Sequence, residues 1–91
     1  MLEIDIWPPA KEFIEQVPAK HARQIIGKIE TLARSPQPPR SKLLEGFPLL
    51  RRLRSGDYRI IYFVDGEVLK IPLIDRRNDD RIYRRLKQIF G

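Results

Sequence analysis

The sequence contains no cysteine and only one histidine, His21. Without cysteine there can be no zinc–thiolate site, no thiol nucleophile and no redox switch, and a single histidine cannot supply a metal cluster. We therefore expect neither a metal ion nor another cofactor. Any chemistry that this chain performs must use arginine, lysine, tyrosine and carboxylate side chains.

Long apolar runs are also missing. No stretch approaches the ~20 apolar residues that a helix needs to cross a bilayer. The first residues, MLEIDIWPPAKEF, do not have the basic start and apolar run of an export signal. We therefore expect a soluble, cytoplasmic protein that does not act at a membrane.

The chain does have enough apolar surface to fold. Of its 91 residues, 42% are hydrophobic and 33% are charged, a composition that argues against a disordered polypeptide. The length is too short for two separate hydrophobic cores. We therefore predict a single domain that covers residues 1–91.

Positive charge is concentrated in the second half of the sequence. The formal net charge is +6, and residues 1–39 carry equal numbers of basic and acidic side chains, so the whole excess lies in residues 40–91. Most basic residues of that half are arginines, whose guanidinium groups bind phosphate through two parallel hydrogen bonds. The partners that this charge favours are nucleic acid, an acidic protein or an anionic membrane.

Hydrophobic periodicity predicts the order strand, helix, helix, three strands and a short helix. The predicted helices cover residues 9–17, 19–34 and 78–90, and the predicted strands cover residues 2–7, 48–54, 58–64 and 67–74. Turn signals at Gly56 and Gly66 connect the last three strands as hairpins. This order predicts an α+β fold, in which two N-terminal helices pack on one face of a small antiparallel β-sheet. The other face of this two-layer arrangement is expected to be solvated and free to act on a ligand.

Alternation along the predicted strands gathers arginines on one face of the sheet. Arg52 and Arg54 point to the same side of their strand, and a tight hairpin at residues 55–57 brings Arg59 beside them. Like charges so close together repel each other, and an anionic ligand would relieve that repulsion. The same alternation also fits an ordinary solvated strand face, so the pattern alone leaves both interpretations open. Further candidate ligand-binding residues lie where the last predicted strand ends and the last predicted helix begins, namely Arg76, Arg77, Arg81 and Tyr83.

The most specific motif is the run Leu53-Arg54-Ser55-Gly56-Asp57-Tyr58-Arg59-Ile60-Ile61-Tyr62, followed by Arg76-Arg77 and Tyr83-Arg84. Lys42, Leu43 and Gly46 precede it. With these motifs the chain resembles the RelE/ParE superfamily of toxins from type II toxin–antitoxin systems, over nearly its whole length and with the RelE-like branch in particular. RelE-like members are ribosome-dependent mRNA endonucleases, so the resemblance implies an endoribonuclease, or mRNA interferase, that inhibits translation.

The resemblance also implies roles for individual residues. Arg59 would hold the scissile phosphate, Arg77 would act on the leaving group, and Tyr83 would stack on the substrate base and assist proton transfer. Arg52 falls where the family places a basic residue on the second strand, and Arg54 would be a further phosphate contact. The remaining predicted phosphate-binding residues are Arg76 and Arg81.

Proton transfer is the step for which the predicted site is least equipped. Cleavage of RNA without a metal ion uses the ribose 2′-hydroxyl as the nucleophile, so two protons must move while the phosphorane charge is stabilised. Arginine is a poor proton carrier, because its pKa is above ~12. Tyr83 is then the expected carrier, unless Asp57 or Asp79 turns toward the site.

One departure from the family pattern leaves alternatives open. RelE-like members carry two lysines at alternate positions of the second strand, where this chain has Leu50 and Arg52. The chain could instead be a ParE-like inhibitor of DNA gyrase, or a catalytically weak or inactive member that only binds its antitoxin. In each case the resemblance implies a cognate antitoxin in a hetero-oligomeric complex, and the RelE-like interpretation adds mRNA and the ribosomal A site as partners.

Overall fold

A five-stranded β-sheet runs through the middle of the protein. In the computed structural model, which describes residues 1–91, the elements are β1 (Glu3–Ile6), α1 (Pro8–Gln16), α2 (Ala19–Arg34), β2 (Lys42–Leu44), β3 (Phe47–Ser55), β4 (Tyr58–Asp65), β5 (Val68–Arg76) and α3 (Asp79–Phe90). The strands lie in the order β1-β5-β4-β3-β2. β1 runs parallel to β5, and all other neighbours are antiparallel.

The α+β fold class is confirmed, and every predicted helix and strand is present with its ends shifted by at most two residues. Two features differ from the prediction. β2 has only three residues, which is too short for a period-2 pattern to show. The sheet is also mixed rather than wholly antiparallel. After β1, the chain passes through α1 and α2 to the opposite edge of the sheet, where β2 lies. Three reversals of direction then lead from β2 to β5, which therefore lies parallel to β1.

The two N-terminal helices cover one face of the sheet. α2 buries one stripe of apolar side chains, including Ile25, Ile29 and Leu32, against residues of β4 such as Ile60 and Tyr62. Each fully buried side chain of this size contributes about 1.5–3 kcal/mol through removal of apolar surface from water. The stripe therefore fixes α2 on this face. None of the three helices combines the length and the apolar character needed to span a membrane.

The opposite face of the sheet is not solvated along most of its length, in contrast to the prediction. α3 lies across it and buries Ile82 and Leu86 against Leu50, Ile61 and Leu73 of the sheet. The same alternation that placed arginines on this face also placed these apolar residues there, and they need a cover of their own. The end of the face at the β3–β4 hairpin stays open. A second, mainly apolar depression remains at the opposite end, lined by Phe47, Pro48, Leu49, Leu50, Phe63 and Phe90.

A buried carboxylate ties α3 to the sheet. Asp75, in β5, has no exposed surface. Its Oδ1 accepts a hydrogen bond from the backbone N–H of Arg76 at 2.8 Å, and its Oδ2 lies 3.1 Å from Arg81 Nε and 3.2 Å from Arg85 Nη1. Because both arginines belong to α3, this cluster fixes the first two turns of that helix. Asn78 caps the same end by accepting a hydrogen bond from the N–H of Arg81 at 3.0 Å.

We expect Asp75→Asn to lower the free energy of unfolding by about 1–3 kcal/mol, because it removes charge-assisted hydrogen bonds from a buried acceptor. The loss stays below that of a fully buried ion pair, since the Arg81 side chain is 52% exposed and can be rehydrated. Urea denaturation measures the change. Hydrogen exchange should speed up in α3 before it does in α2.

The matched control is Asp65→Asn, which removes the exposed pair between Asp65 Oδ2 and Lys70 Nζ at 3.3 Å. Exposed pairs contribute at most about 1 kcal/mol, so this variant should stay close to the wild type. Equal losses in the two variants would show that Asp75 does not anchor α3.

Candidate phosphate-binding site

The β3–β4 hairpin concentrates positive charge at its tip. Arg54 and Arg59 are directly opposite each other in the antiparallel register, and Arg52 lies two residues away on the same face. The turn between them requires a positive φ at Gly56, which is +58°. Side chains of a directly opposed pair lie within about 5.5 Å at their Cβ atoms, so the predicted cluster of three arginines is present.

Arg59 has no carboxylate partner within the sheet. Asp75 is its directly opposed residue on β5, but both oxygens of Asp75 are already engaged by Arg76, Arg81 and Arg85. The Nη1 atom of Arg59 is buried and has no hydrogen-bond partner. A buried donor without a partner costs about 1–3 kcal/mol, which an anionic ligand would recover.

The surroundings of Arg59 disfavour its charged form. Burial lowers the pKa of Arg59 below its usual value, and the positive charges of Arg54, Arg52 and Arg77 lower this pKa further. The nearby carboxylate of Asp79 acts in the opposite direction. The guanidinium still stays protonated at neutral pH, because the ordinary pKa of arginine is above ~12. A retained charge that its surroundings disfavour would be stabilised by a bound anion.

Two carboxylates stand beside the remaining arginines of the cluster. Asp79 Oδ1, at the start of α3, lies 3.6 Å from Arg52 Nη1. Asp57 Oδ1, in the hairpin turn, lies 3.9 Å from Arg77 Nε, and the backbone N–H of Arg77 donates to the carbonyl of Asp57 at 2.9 Å. Both carboxylates are largely exposed, so each pair can open to admit a phosphate.

Tyr83 stands in a cleft next to the arginine cluster. Its ring lies 5.9 Å from the ring of Phe47, measured between centroids and tilted by 37°. The cleft has a volume of about 490 Å³. We call it the tyrosine cleft, and its lining residues are Leu43, Leu44, Glu45, Arg52, Asp79 and Tyr83. A phenol and two carboxylates, those of Glu45 and Asp79, therefore share one cleft with Arg52.

A second depression lies on the other side of Arg52. It has a volume of about 560 Å³ and a largely basic lining. We call it the basic groove, and its lining residues are Lys28, Pro39, Arg40, Lys42, Arg52, Leu53, Arg54, Gly56 and Arg59. Because Arg52 lines both depressions, a ligand at the arginine cluster can extend in either direction.

Two of the predicted phosphate-binding residues are not part of this cluster. Arg76 is paired with Tyr58 across β4 and β5, and its guanidinium carbon lies 5.9 Å from the centroid of the Tyr58 ring. Since Tyr58 packs in the core under α1 and α2, Arg76 is on the opposite face of the sheet from Arg59. Arg81 is held by Asp75 and anchors α3 instead.

Three basic residues of the groove were not predicted as site residues. Lys28 comes from α2, Arg40 from the proline-dense connector, and Lys42 from the short strand β2. Only Lys42 carried a signal in the sequence, through its place in the motif with Leu43 and Gly46. The other two reach the groove through the tertiary packing of segments that are remote in sequence.

The site can therefore do two things chemically. Arginine donors converge where a phosphate would sit, and Tyr83 and Asp79 are close enough to the cluster to exchange protons with a bound ligand. No group of three or more histidine, aspartate or glutamate side chains is arranged to hold a metal ion.

A family model places the chain among known toxins. The model described as ParE toxin of type II toxin-antitoxin system, parDE, matches residues 6–81, which is most of the sequence. No curated protein matches the sequence.

Solved structures show the same fold. A double arginine variant of the Escherichia coli toxin RelE in the free state has a TM-score of 0.78 at 22% identity, with 97% of each chain covered. The archaeal RelE–RelB complex from Pyrococcus horikoshii OT3 has a TM-score of 0.74 at 28% identity, with 85% of this chain and 96% of that chain covered. The intact E. coli RelBE toxin–antitoxin complex has a TM-score of 0.72 at 23% identity, with 86% of this chain and 99% of that chain covered.

Together with the arginine cluster, these matches confirm the family resemblance that the sequence motifs indicated. The chain belongs to the ParE toxin family, within the RelE/ParE superfamily, and is the toxin of a type II toxin–antitoxin system.

Proposed function

We propose that this toxin is a metal-independent endoribonuclease that cleaves mRNA in the ribosomal A site, in the cytoplasm, and so inhibits translation. The observation that carries the proposal is the buried, unpartnered Nη1 of Arg59 within a cluster of like charges. A surface arginine with only a solubility role would gain nothing from being held in this way, since both the repulsion and the unpartnered donor cost stability. A phosphodiester at Arg59 supplies both the missing acceptor and the missing negative charge.

Charge stabilisation is the task of the arginines. Attack of the ribose 2′-oxygen on the adjacent phosphorus forms a dianionic phosphorane, which collapses to a 2′,3′-cyclic phosphate and a free 5′-hydroxyl. Arg59 would donate to this phosphorane throughout, and Arg52 would join it after release from Asp79. Loss of one such oriented donor typically raises the barrier by about 3 kcal/mol.

Proton transfer would fall to the tyrosine cleft. We assign Asp79 as the acceptor of the 2′-hydroxyl proton, because its carboxylate lies beside Arg52 and lines the same cleft as Tyr83. Tyr83 would stack on the base next to the scissile bond and help to deliver a proton to the departing 5′-oxygen. Asp57 sits at the hairpin turn with Arg77 and lines neither depression, which makes it the weaker candidate.

The second candidate function is inhibition of a type II topoisomerase such as DNA gyrase, without RNA cleavage. The matched family model, whose description is that of a ParE toxin, favours it. Leu50 adds to the case, because it replaces a lysine of the RelE-like branch and is buried under α3, where it cannot act on a ligand.

A cognate antitoxin is the partner in both cases. The relatives from P. horikoshii and E. coli are seen in complex with antitoxins, and we propose a hetero-oligomeric complex of the same kind for this toxin. The net charge of +6 suits an acidic partner segment that covers the arginine cluster.

We expect Arg59→Ala to reduce cleavage of mRNA on translating ribosomes by about 10²–10³-fold, because the best-oriented phosphate donor is lost. Mapping of 5′ ends along the message measures the effect. The matched control is Arg76→Ala, which removes the same charge from the neighbouring strand but on the opposite face of the sheet. This control should cleave within about threefold of the wild type.

Other outcomes would reject the nuclease. Uncut message at a dose that arrests growth, together with loss of supercoiling by gyrase and a DNA-damage response, would assign the toxin to topoisomerase inhibition. Normal growth under overexpression would indicate a member that only binds its antitoxin. Equal defects in the two arginine variants would remove Arg59 from the site.

We expect Asp79→Asn to lower the cleavage rate by about 10²–10⁴-fold and to abolish the acidic limb of the pH–rate profile, since an amide cannot accept the proton. The matched control is Asp57→Asn, which likewise frees one arginine and adds one unit of positive charge. Its pH–rate profile should keep the shape of the wild type. An unchanged acidic limb in Asp79→Asn would leave Tyr83 as the proton carrier.

A further inference from the structure

We infer that the basic groove binds the single-stranded RNA backbone next to the scissile phosphate, with Lys28, Arg40 and Lys42 as contacts to neighbouring phosphates. The inference rests on the proposed function, and it concerns residues to which neither the sequence motifs nor the family match gives a role. It concerns binding, so it can be tested without any cleavage.

The lining of the groove carries an excess of unpaired positive charge. Six of its nine residues are basic, none is acidic, and they come from α2, the connector, β2 and the β3–β4 hairpin. Of these six, only Arg52 has a carboxylate within 4.0 Å, and that carboxylate belongs to the tyrosine cleft. Four separate segments that deliver cations to one depression create a potential that attracts a polyanion.

The shape of the groove follows from the short length of β2. Lys42 is directly opposite Arg52, so it lies on the same face, but β2 begins there and leaves Leu53 and Arg54 without a β2 partner. Pro39 and Arg40, which belong to the connector, line this gap. Three prolines at positions 36, 38 and 39 restrict this segment, which holds Arg40 in place before a ligand arrives.

The size of the groove favours one strand over a duplex. A volume of 560 Å³ corresponds to a cube with an edge of about 8 Å. A B-form DNA duplex is wider than its own major groove, which measures about 12 Å, so it cannot enter. A single strand can lie in the groove, where its phosphates can meet the cations of the lining.

The test uses a probe that the toxin cannot cleave, a fluorescein-labelled 2′-O-methyl hexauridylate, with fluorescence anisotropy as the readout. One variant combines Lys28→Gln, Arg40→Gln and Lys42→Gln. The control combines Lys20→Gln, Arg23→Gln and Arg84→Gln, which removes the same charge at exposed positions outside the groove. All six positions are exposed, so both variants should fold, and urea denaturation checks that they do.

Each phosphate contact on a single strand contributes about 0.7 to the slope of log Kd against log salt concentration. Loss of three contacts should therefore lower this slope by about 2 and weaken binding about 100-fold at 0.1 M salt. The control should keep the slope of the wild type. Cleavage on ribosomes, measured in parallel, separates the two proposals, since binding through the groove without cleavage would reject the nuclease and retain the groove.

Three results would overturn the inference. The first is no measurable binding of the probe by the wild type. The second is an equal loss of affinity in the two triple variants, which would reduce the effect to net charge. The third is a loss of antitoxin affinity in the groove variant with unchanged RNA binding, which would assign the groove to the antitoxin.

Discussion

The arrangement of the site depends on one buried carboxylate, Asp75. Its two oxygens accept from a backbone amide and from two arginines of α3, and Arg59, directly opposite across the sheet, makes no hydrogen bond to it. The same contacts fix α3 over the apolar face and thereby set the positions of Asp79 and Tyr83 at its beginning. One ion cluster thus holds the helix and leaves Arg59 without a carboxylate partner at the open hairpin end of the face.

An unpaired cluster of arginines is unfavourable in the free protein. Opposed like charges at Arg54 and Arg59 destabilise the hairpin, and the lowered pKa of Arg59 reports the same repulsion together with burial. The buried apolar side chains on the two faces of the sheet offset that cost. Polar groups held under strain in this way are typical of sites that stabilise charge in a ligand or transition state.

Local signals in the sequence were enough to predict most of the fold and the grouping of Arg52, Arg54 and Arg59. The apolar stripe of α2 and the glycine turns at Gly56 and Gly66 act over short distances, and strand alternation was enough to group Arg59 with its neighbours. The remaining features are set by tertiary structure. Which face Arg76 occupies depends on the register of β5, where the pairing with β4 is irregular between Ile61 and Phe63. Basic residues from α2 and the connector join the site only because distant segments pack together.

The toxin therefore presents a hairpin with one unpartnered guanidinium nitrogen, between the tyrosine cleft and the basic groove. The most direct measurement is a crystal structure of the toxin with a 2′-O-methyl RNA dinucleotide, which keeps the bridging phosphate but cannot be cleaved. We expect a phosphate oxygen at about 2.7–3.2 Å from Arg59 Nη1, with the ribose directed toward Asp79. A dinucleotide bound elsewhere, with Arg59 Nη1 still unpartnered, would contradict the account.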